Sequence, residues 1–315
     1  MNIFVTGSAG FIGFHTCYDL LKKGHDVTGI DNLNSYYDKS LKISRLRILC
    51  RFKKFKFLND DINLIENYPD NYDILIHLAA QAGVRLKAAE NYLYDHSNFN
   101  GTNCVRDFCI KHGIKNVIYA SSSSVYSGNT ANTHTENDQI SKPKSYYAES
   151  KIYTEKKFEN LGKIEGFKSI GLRFFTVYGP WGRPDMAYFM FTQKILNEEK
   201  ITLFNKGNNS RDMTYIDDIV EGINLAINFV DKMKSNHEIF NLGNTKPIST
   251  NKIVSMIEKR YHKSAKIVYS KRKNEVISTC ANLDKAKEIL RFNPSVNETI
   301  GMKLFFDWFD KFFLR

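Results

Sequence analysis

The fold can be inferred from the segment Ile3-Phe-Val-Thr-Gly7-Ser-Ala-Gly10-Phe-Ile-Gly13. A short apolar run predicts a strand over 2–6, and a helical pattern follows over 11–23. In such a turn the first glycine permits a tight bend, the second lets the backbone approach a pyrophosphate, and the third permits close helix–strand packing. The pyrophosphate would lie at the N-terminus of the helix from Phe11, where free N–H groups favour anions. The spacing is GxxGxxG, so a glycine turn that serves packing alone is the alternative.

An acidic residue ends the next predicted strand, about 20 residues beyond the glycines. A carboxylate at Asp31 suits the 2′-hydroxyl of the NAD adenosine ribose and would repel the 2′-phosphate of NADP. Without that role, Asp31-Asn32 would be an ordinary turn or helix cap. Together, the glycine turn and the acid predict that the chain binds NAD.

The first half of the chain alternates strand and helix patterns, which indicates βαβ units in an α/β, doubly wound parallel sheet of the Rossmann kind. The predicted strands are 2–6, 26–30, 55–58, 72–77, 116–120 and 168–172. The predicted helices are 11–23, 40–49, 98–112 and 147–161. Their nearly continuous apolar strands are typical of a sheet with helices on both faces.

The pattern changes after Tyr178, where the run Gly-Pro-Trp-Gly-Arg-Pro cannot form regular structure. We therefore predict a cofactor-binding domain over 1–178, and over 179–315 mainly a smaller mixed α/β lobe that binds substrate. Helices are expected at 188–196, 217–229, 249–259 and 283–290. Two segments between 212 and 242, namely 212–216 and 238–242, are expected to return to the sheet.

The composition argues against a nucleic-acid-binding protein and against a disulfide-rich protein. The 315 residues carry a net charge of +11 from 45 basic and 34 acidic residues. The basic residues are scattered, which favours a solvated surface over a nucleic-acid site, although attraction of anionic ligands stays open. Five cysteines without a CxxC spacing argue against a disulfide framework and against a zinc site, and suit a reducing cytoplasm; no metal site is expected.

Membrane association is also not expected. No apolar run approaches the roughly 20 residues that span a bilayer. Met1 leads directly into the first strand, so we expect no signal peptide. The aromatic run over 304–313 could lie on a membrane surface, but acidic residues on its polar face favour a packed terminal helix.

Two further elements suggest proton transfer. Tyr147 and Lys151 are four residues apart, so a helix would present both on one face. A phenol has a pKa of about 10, and a nearby ammonium and the nicotinamide ring would lower that pKa and favour phenolate. Four serines at 121–124 end a strand, where ligands of such sheets bind. A surface pair and a serine-rich turn are the alternatives.

Motifs from one end of the chain to the other point to a known family. These are VTGSAGFIGFHT (5–16), IDNLNSYYD (30–38), HLAAQAGVR (77–85), NFNGT (98–102), ASSSSVYS (120–127), YYAESK (146–151), GLRFFTVYGPWGRPDMA (171–187) and RDMTYIDDIVEGI (211–223). The chain resembles the extended short-chain dehydrogenase/reductases, specifically the nucleotide-sugar epimerases. Within that family, the GPWGRPDMA stretch is most similar to the UDP-glucuronate 4-epimerases.

The resemblance implies a role for each matching residue. Tyr147 would be the catalytic acid/base, Lys151 would hold it and the nicotinamide ribose, and Ser122 would be the catalytic hydroxyl, with Ser124 as a second candidate. The implied cofactor contacts are Gly7, Gly10, Phe11, Ile12, Gly13, Asp31, Asn32, Asp61, Ile62, Leu78, Ala79, Asn98, Tyr147 and Lys151. The implied substrate contacts are Ser123, Ser124, Thr176, Arg183, Arg211 and Glu275, of which Arg211 and Glu275 would hold uridine diphosphate.

Departures within the family narrow the chemistry. Dehydratases of the family carry Asp-Glu where Ser123 and Ser124 stand, and decarboxylases carry a glutamate at the second position. Because this chain has neither acid, elimination of water and assisted decarboxylation lack the groups that the family uses for them. In UDP-glucuronate epimerases a threonine and an arginine, here Thr176 and Arg183, bind the C6 carboxylate, and an arginine fork matches a carboxylate well.

The resemblance thus implies an NAD-dependent isomerase that interconverts UDP-glucuronate and UDP-galacturonate through a 4-keto sugar. The alternatives are a 4-epimerase of UDP-GlcNAc or UDP-glucose, a dehydratase or decarboxylase, and a non-catalytic NAD-binding protein. The expected partner is a UDP-sugar, not nucleic acid or membrane. A homodimer is expected through the helices over 98–112 and 147–161, as in relatives.

Overall fold

The structure, a computed structural model, describes residues 1–84, 86–129, 131, 133–140, 142–271 and 277–314. Its strands are β1 (Asn2–Thr6), β2 (Asp26–Ile30), β3 (Phe55–Leu58), β4 (Ile74–His77), β5 (Asn116–Ser122), β6 (Thr133–His134), β7 (Lys168–Phe174), β8 (Thr176–Tyr178), β9 (Lys200–Phe204), β10 (Ser210–Tyr215), β11 (His237–Leu242), β12 (Pro247–Ser249), β13 (Lys266–Ser270) and β14 (Cys280–Ala281).

The helices are α1 (Phe11–Lys22), α2 (Lys39–Leu49), α3 (Tyr92–Tyr94), α4 (Gly101–His112), α5 (Tyr146–Leu161), α6 (Ala187–Leu196), α7 (Ile216–Val230), α8 (Thr250–Tyr261) and α9 (Glu298–Phe313). A π-helical turn, Asp95–Asn100, joins α3 to α4, and a second one is Ala286–Leu290. Short 3₁₀ helices are Ile62–Asn67, Ala88–Glu90, Ser123–Tyr126 and Asn205–Gly207.

Seven parallel strands form the central sheet in the order β11-β7-β5-β4-β1-β2-β3. The chain therefore builds outward from β1 in both directions, which confirms the doubly wound fold. Alternate residues of β1 serve the two faces: Ile3 and Val5 join one apolar core, and Phe4 joins the other beside Tyr72 and Phe108. Ligands of such sheets bind outside the strands' carboxyl ends, at the point where the order reverses.

Of the two segments expected to form further strands of the central sheet, 212–216 and 238–242, the structure shows one in that sheet. Strand β11 pairs with β7 at the sheet edge, as expected for 238–242. The expectation for 212–216 is wrong, because β10 lies in a separate three-stranded sheet between β8 and β12. With β11 beside β7, that edge of the large sheet is already occupied, and β8 offers β10 a parallel partner from Met213 to Tyr215. The division of the chain at residue 178 stays a prediction.

The C-terminal helix α9 packs into the protein. Met302, Phe305, Phe306 and Phe309 are buried, and Trp308 lies against Trp181 with ring centroids 5.2 Å apart. This confirms the packed terminal helix. Within the described ranges, no helix combines the length and the apolar character needed to cross a bilayer.

Candidate active site

A cleft of about 1360 Å³ runs along the carboxyl ends of the central strands and continues between them and the smaller sheets. Most of the residues expected at the site line this cleft. They are Gly7, Gly10, Phe11, Ile12, Gly13, Asp31, Asn32, Ile62, Leu78, Ala79, Ser122, Ser123, Ser124, Tyr147, Lys151, Thr176, Arg183 and Arg211. Asp61 and Asn98 are not among the residues that line it, and Glu275 lies outside the described residues.

The glycine loop bends sharply between β1 and α1. Gly7 has a φ of +72°, and its N–H donates to the carbonyl of Ile30 over 2.8 Å. A Cβ at Gly7 would lie 2.8 Å from the backbone nitrogen of Ala79, and one at Gly13 would lie 2.1 Å from the Gly7 oxygen, so neither position tolerates a side chain. The first N–H groups of a helix have no partner within it. At α1 they belong to cleft-lining residues, so the loop fits a diphosphate.

Asp31 is held rigidly at the end of β2. Its carboxylate accepts hydrogen bonds from the N–H groups of Ala9, over 3.2 Å, and Leu33, over 2.9 Å. The ammonium of Lys42 lies 3.5 Å from Oδ1 in a pair that is almost fully buried. The carboxylate is thus fixed beside the glycine loop, where an acid can accept a ribose hydroxyl.

Asp61 and Asn98 form hydrogen bonds with residues that line the cofactor half of the cleft, namely Asn32 and Gln81. Asp61 Oδ2 accepts from Asn32 Nδ2 over 2.8 Å and lies 3.0 Å from His96 Nε2. The buried amide of Asn98 accepts from the Gln81 N–H over 2.8 Å and donates to the Gln81 carbonyl and to Ser150 Oγ. Both side chains therefore position residues that line the cleft. A sequence motif cannot show whether such a residue contacts the cofactor itself or only a residue beside it.

The structure brings Tyr147, Lys151 and Ser122 together. Tyr147 forms a hydrogen bond with Ser122, and Lys151 Nζ lies 5.9 Å from the centre of the Tyr147 ring. Lys151 Nζ also donates to the carbonyl of Ala120 over 3.0 Å. Helix α5 presents both side chains on the face that meets the end of β5, because they are one turn apart.

Burial moves the pKa of each group. Burial lowers the pKa of Lys151 to about 8, and the nearby carboxylate of Glu155 acts in the opposite direction. Burial raises the pKa of Tyr147 above its usual range, whereas the charge of Arg183 and the hydrogen bond with Ser122 lower it. A bound cation beside the phenol would lower the pKa of Tyr147 further, since a positive charge favours phenolate.

The serine run divides between two environments because strand residues alternate in direction. Ser122 Oγ donates to Ser124 Oγ over 3.1 Å and accepts from the Ser124 N–H, so it caps the 3₁₀ helix that follows. Ser121 points the other way and donates to the buried carboxylate of Glu155, which is paired with Arg173.

Arg183, expected to bind the sugar carboxylate, is paired with an acidic residue that the sequence motifs did not predict as part of the site. Arg183 donates through Nε and Nη2 to the two carboxylate oxygens of Asp185, over 2.9 and 2.6 Å. Tyr36, in the loop after β2, donates through its hydroxyl to the same carboxylate over 3.1 Å and so links that loop to the loop of Arg183. Although burial acts to raise it, the pKa of Asp185 lies below its usual range because Arg183 and Tyr36 donate to the carboxylate. The sequence did contain a sign of this ion pair, because Asp185 follows Arg183 by two residues in the same loop.

The remaining substrate candidates lie on the three-stranded sheet. Thr176 begins β8 and is in register with Met213 on β10. Arg211, two residues earlier on β10, lines the cleft and donates through Nη1 to the carbonyl of Ser210 over 2.8 Å. The pairing of β8 with β10 therefore places both residues on one wall.

Comparison with known proteins agrees with this arrangement. The profile of the NAD dependent epimerase/dehydratase family matches residues 3–243. An uncharacterised protein of Methanocaldococcus jannaschii is 44% identical over 98% of this chain and 96% of its own length. UDP-glucuronate 4-epimerase 4 of Arabidopsis thaliana is 38% identical over 98% of this chain and 75% of its own length.

A solved structure is similar over the whole chain. The UDP-glucuronic acid 4-epimerase of Bacillus cereus, crystallised with UDP-glucuronic acid and NAD, superimposes with a TM-score of 0.89. It is 33% identical, and the match covers 99% of this chain and 100% of that one.

Proposed function

The chain belongs to the NAD dependent epimerase/dehydratase family, and we propose that it is an NAD-dependent isomerase that interconverts UDP-glucuronate and UDP-galacturonate. The observation that carries this proposal is the position of Arg183 in the same cleft as Tyr147, close enough for its charge to lower the phenol's pKa. A fixed guanidinium beside the acid/base residue suits a sugar that carries a carboxylate next to the reacting carbon.

The residues at the cofactor end fit NAD, by the chemistry of their donors. The N-terminus of α1 offers N–H groups to a diphosphate, and Asp31 offers a carboxylate to a ribose hydroxyl. Lys151, beside Tyr147, would hold the nicotinamide ribose. Bound NAD⁺ supplies an acceptor for the C4 hydride of the sugar and returns that hydride later.

Tyr147 performs the proton chemistry in the proposed cycle. As phenolate it takes the proton of the sugar O4 hydroxyl while the C4–H bond breaks, and a 4-keto sugar forms. Ser122, which is hydrogen-bonded to Tyr147, can donate to the carbonyl oxygen as it forms. Once the sugar ring has presented its other face, Tyr147 would protonate O4 as the carbonyl carbon is reduced again. No net oxidation occurs.

Lys151 and Arg183 support this proton transfer electrostatically. The Lys151 ammonium and the Arg183 guanidinium both stabilise negative charge on Tyr147. Arg183 and Thr176 would also hold the C6 carboxylate. A 4-keto uronate is a β-keto acid, and holding its carboxylate away from alignment with the carbonyl would suppress loss of CO₂.

The uridine diphosphate would bind at the other end of the cleft. Arg211 lines that end beside Asn209 and Thr250. We include Glu275 in this subsite because of its place in the sequence pattern. Ser123 and Ser124 would contact the sugar, and the hydrogen bond between Ser122 and Tyr147 favours Ser122 as the main catalytic hydroxyl.

The test is to incubate the purified protein with UDP-glucuronate, without added reductant, and follow the products by NMR. We expect UDP-galacturonate to appear until the two reach equilibrium. A parallel incubation with UDP-GlcNAc tests the rival 4-epimerase of neutral sugars. That rival is favoured by one observation, namely that Asp185 already balances the charge of Arg183. Equilibration of UDP-GlcNAc alone would exclude the uronate.

The assembly and location of the protein are also proposed. We propose a homodimer through the segments 98–112 and 147–161, which sedimentation equilibrium would test. We propose a cytoplasmic location, because the five cysteines carry free thiols, which suits a reducing compartment. Fractionation of cells with an antibody to the chain would test it.

A further inference from the structure

A buried arginine on α2 connects the cofactor loop to the substrate loop. Arg45 is fully buried, and its Nη1 donates to the carbonyl of Ala9 over 2.8 Å and to Tyr37 OH over 2.6 Å. Its Nη2 donates to the carbonyls of Trp181 and Gly182, the two residues before Arg183. A single guanidinium thus holds both the glycine loop and the backbone that carries Arg183.

The substrate loop needs such support. Trp181 has a φ of +59°, a left-handed conformation that is uncommon for residues other than glycine. His15 of α1 binds the preceding carbonyl, that of Pro180, over 3.0 Å. The indole of Trp181 packs between Phe14 of α1 and Trp308 of α9. The loop is therefore held by α1, α2 and α9, and Arg45 of α2 supplies a charged donor to it.

The charge of Arg45 has no partner of opposite sign within the described residues; its guanidinium donates to three carbonyls and one phenol. Burying an unpaired charge is costly unless several hydrogen bonds compensate it. The rigid fork of a guanidinium can reach carbonyls on two separate loops at once, which a lysine ammonium on a flexible stem does less well. The choice of arginine here matches the need to fix two loops relative to each other.

We propose that Arg45 is a positioning residue that sets the recognition of the sugar carboxylate, acting through the backbone of Trp181 and Gly182 on Arg183. This inference rests on the proposed function, since it assumes that Arg183 binds a uronate. Arg45 does not line the cleft and would touch neither sugar nor cofactor. Its effect would be on selectivity between acidic and neutral UDP-sugars.

The test is a double-mutant cycle on the NAD-loaded protein. Isothermal titration gives the dissociation constants of UDP-glucuronate and UDP-glucose, and their ratio measures the preference for the carboxylate. The proteins are wild type, Arg45→Met, Arg183→Leu and the double variant. We expect Arg45→Met to reduce the preference about tenfold or more, as loss of charge-assisted hydrogen bonds would. In the Arg183→Leu background it should have no further effect, because coupled residues are not additive.

Arg47→Met is the matched control, since Arg47 lies on the same helix but is exposed, and it should keep the wild-type preference. Arg45→Lys replaces Arg45→Met in the cycle if the methionine variant does not fold, and the same loss is expected. A folded variant that keeps the preference, or a double variant with additive losses, overturns the inference alone. A wild-type protein with no preference for UDP-glucuronate overturns the proposed function and the inference together.

Discussion

Arg183 and Asp185 form a two-point ion pair on the wall of the cleft, with Nε–Oδ1 and Nη2–Oδ2 separations of 2.9 and 2.6 Å. The pair directs the guanidinium plane and leaves Nη1 outside these two bonds. An incoming sugar carboxylate would therefore meet an arginine already held in place. Such preorganisation reduces the entropy lost on binding.

Replacing Arg183 with Leu should raise KM for UDP-glucuronate about ten- to hundredfold, because a hydrogen bond to a charged group contributes about 1.5–3 kcal/mol. The NAD content of the purified protein should not change, since the glycine loop lies elsewhere in the cleft. Steady-state kinetics and absorbance of the released cofactor measure the two quantities. Equal losses of substrate and cofactor binding would contradict a carboxylate role. Arg51→Leu, at an exposed arginine, is the control.

Replacing Tyr147 with Phe should reduce kcat by about 10²–10⁴-fold, the usual contribution of a positioned acid/base group. The ring keeps its packing, so the melting temperature and NAD content should stay close to those of the wild type. Tyr146→Phe is a matched control, because the neighbouring hydroxyl bonds to Asp95 at the surface. Undiminished turnover in the Tyr147 variant would rule out the mechanism.

The rate should depend on the ionisation of Lys151. Burial lowers its pKa to about 8, so the ammonium that favours Tyr147 phenolate is present below that pH and lost above it. We therefore expect kcat to fall as the pH rises through about 8.

Replacing Glu155 with Gln should move this fall to lower pH, because the carboxylate of Glu155 raises the pKa of Lys151. Glutamine Oε1 can still accept from Ser121 and from Arg173 Nε, but its amide nitrogen replaces the oxygen that accepts from Arg173 Nη2, so the melting temperature of the variant is measured alongside. Glu159→Gln, at an exposed position one turn later on α5, should leave the profile unchanged. A pH profile of kcat measures all three proteins. A shift to higher pH in the Glu155 variant would show that Lys151 is not the titrating group.

Replacing Asp31 with Asn should weaken NAD binding about tenfold and improve NADP binding, since a charged acceptor for the ribose hydroxyl is lost. The buried ammonium of Lys42, 3.5 Å from the carboxylate, would then face the 2′-phosphate without a counter-charge. Fluorescence titration of protein freed of cofactor measures both affinities. Asp26→Asn, at the opposite and exposed end of β2, should change neither. Unchanged preference in the Asp31 variant would place the ribose elsewhere.

The parallel sheet, the glycine loop and the candidate catalytic residues could all be predicted from the amino-acid sequence. These depend on local properties: strand and helix periodicity, the conformational freedom of glycine, and the one-turn spacing of Tyr147 and Lys151. The predicted strands and helices of the first half agree with the structure to within a few residues.

The contacts that join these parts depend on the three-dimensional fold and could not be predicted from local patterns. The partner of β10, the pairing of Arg183 with Asp185 and Tyr36, and the bridge from Arg45 to two loops all link segments that local patterns treat separately. A periodicity of two predicts a strand but not which strand lies beside it. An arginine's partners depend likewise on which carbonyls and carboxylates the fold brings within reach of its side chain.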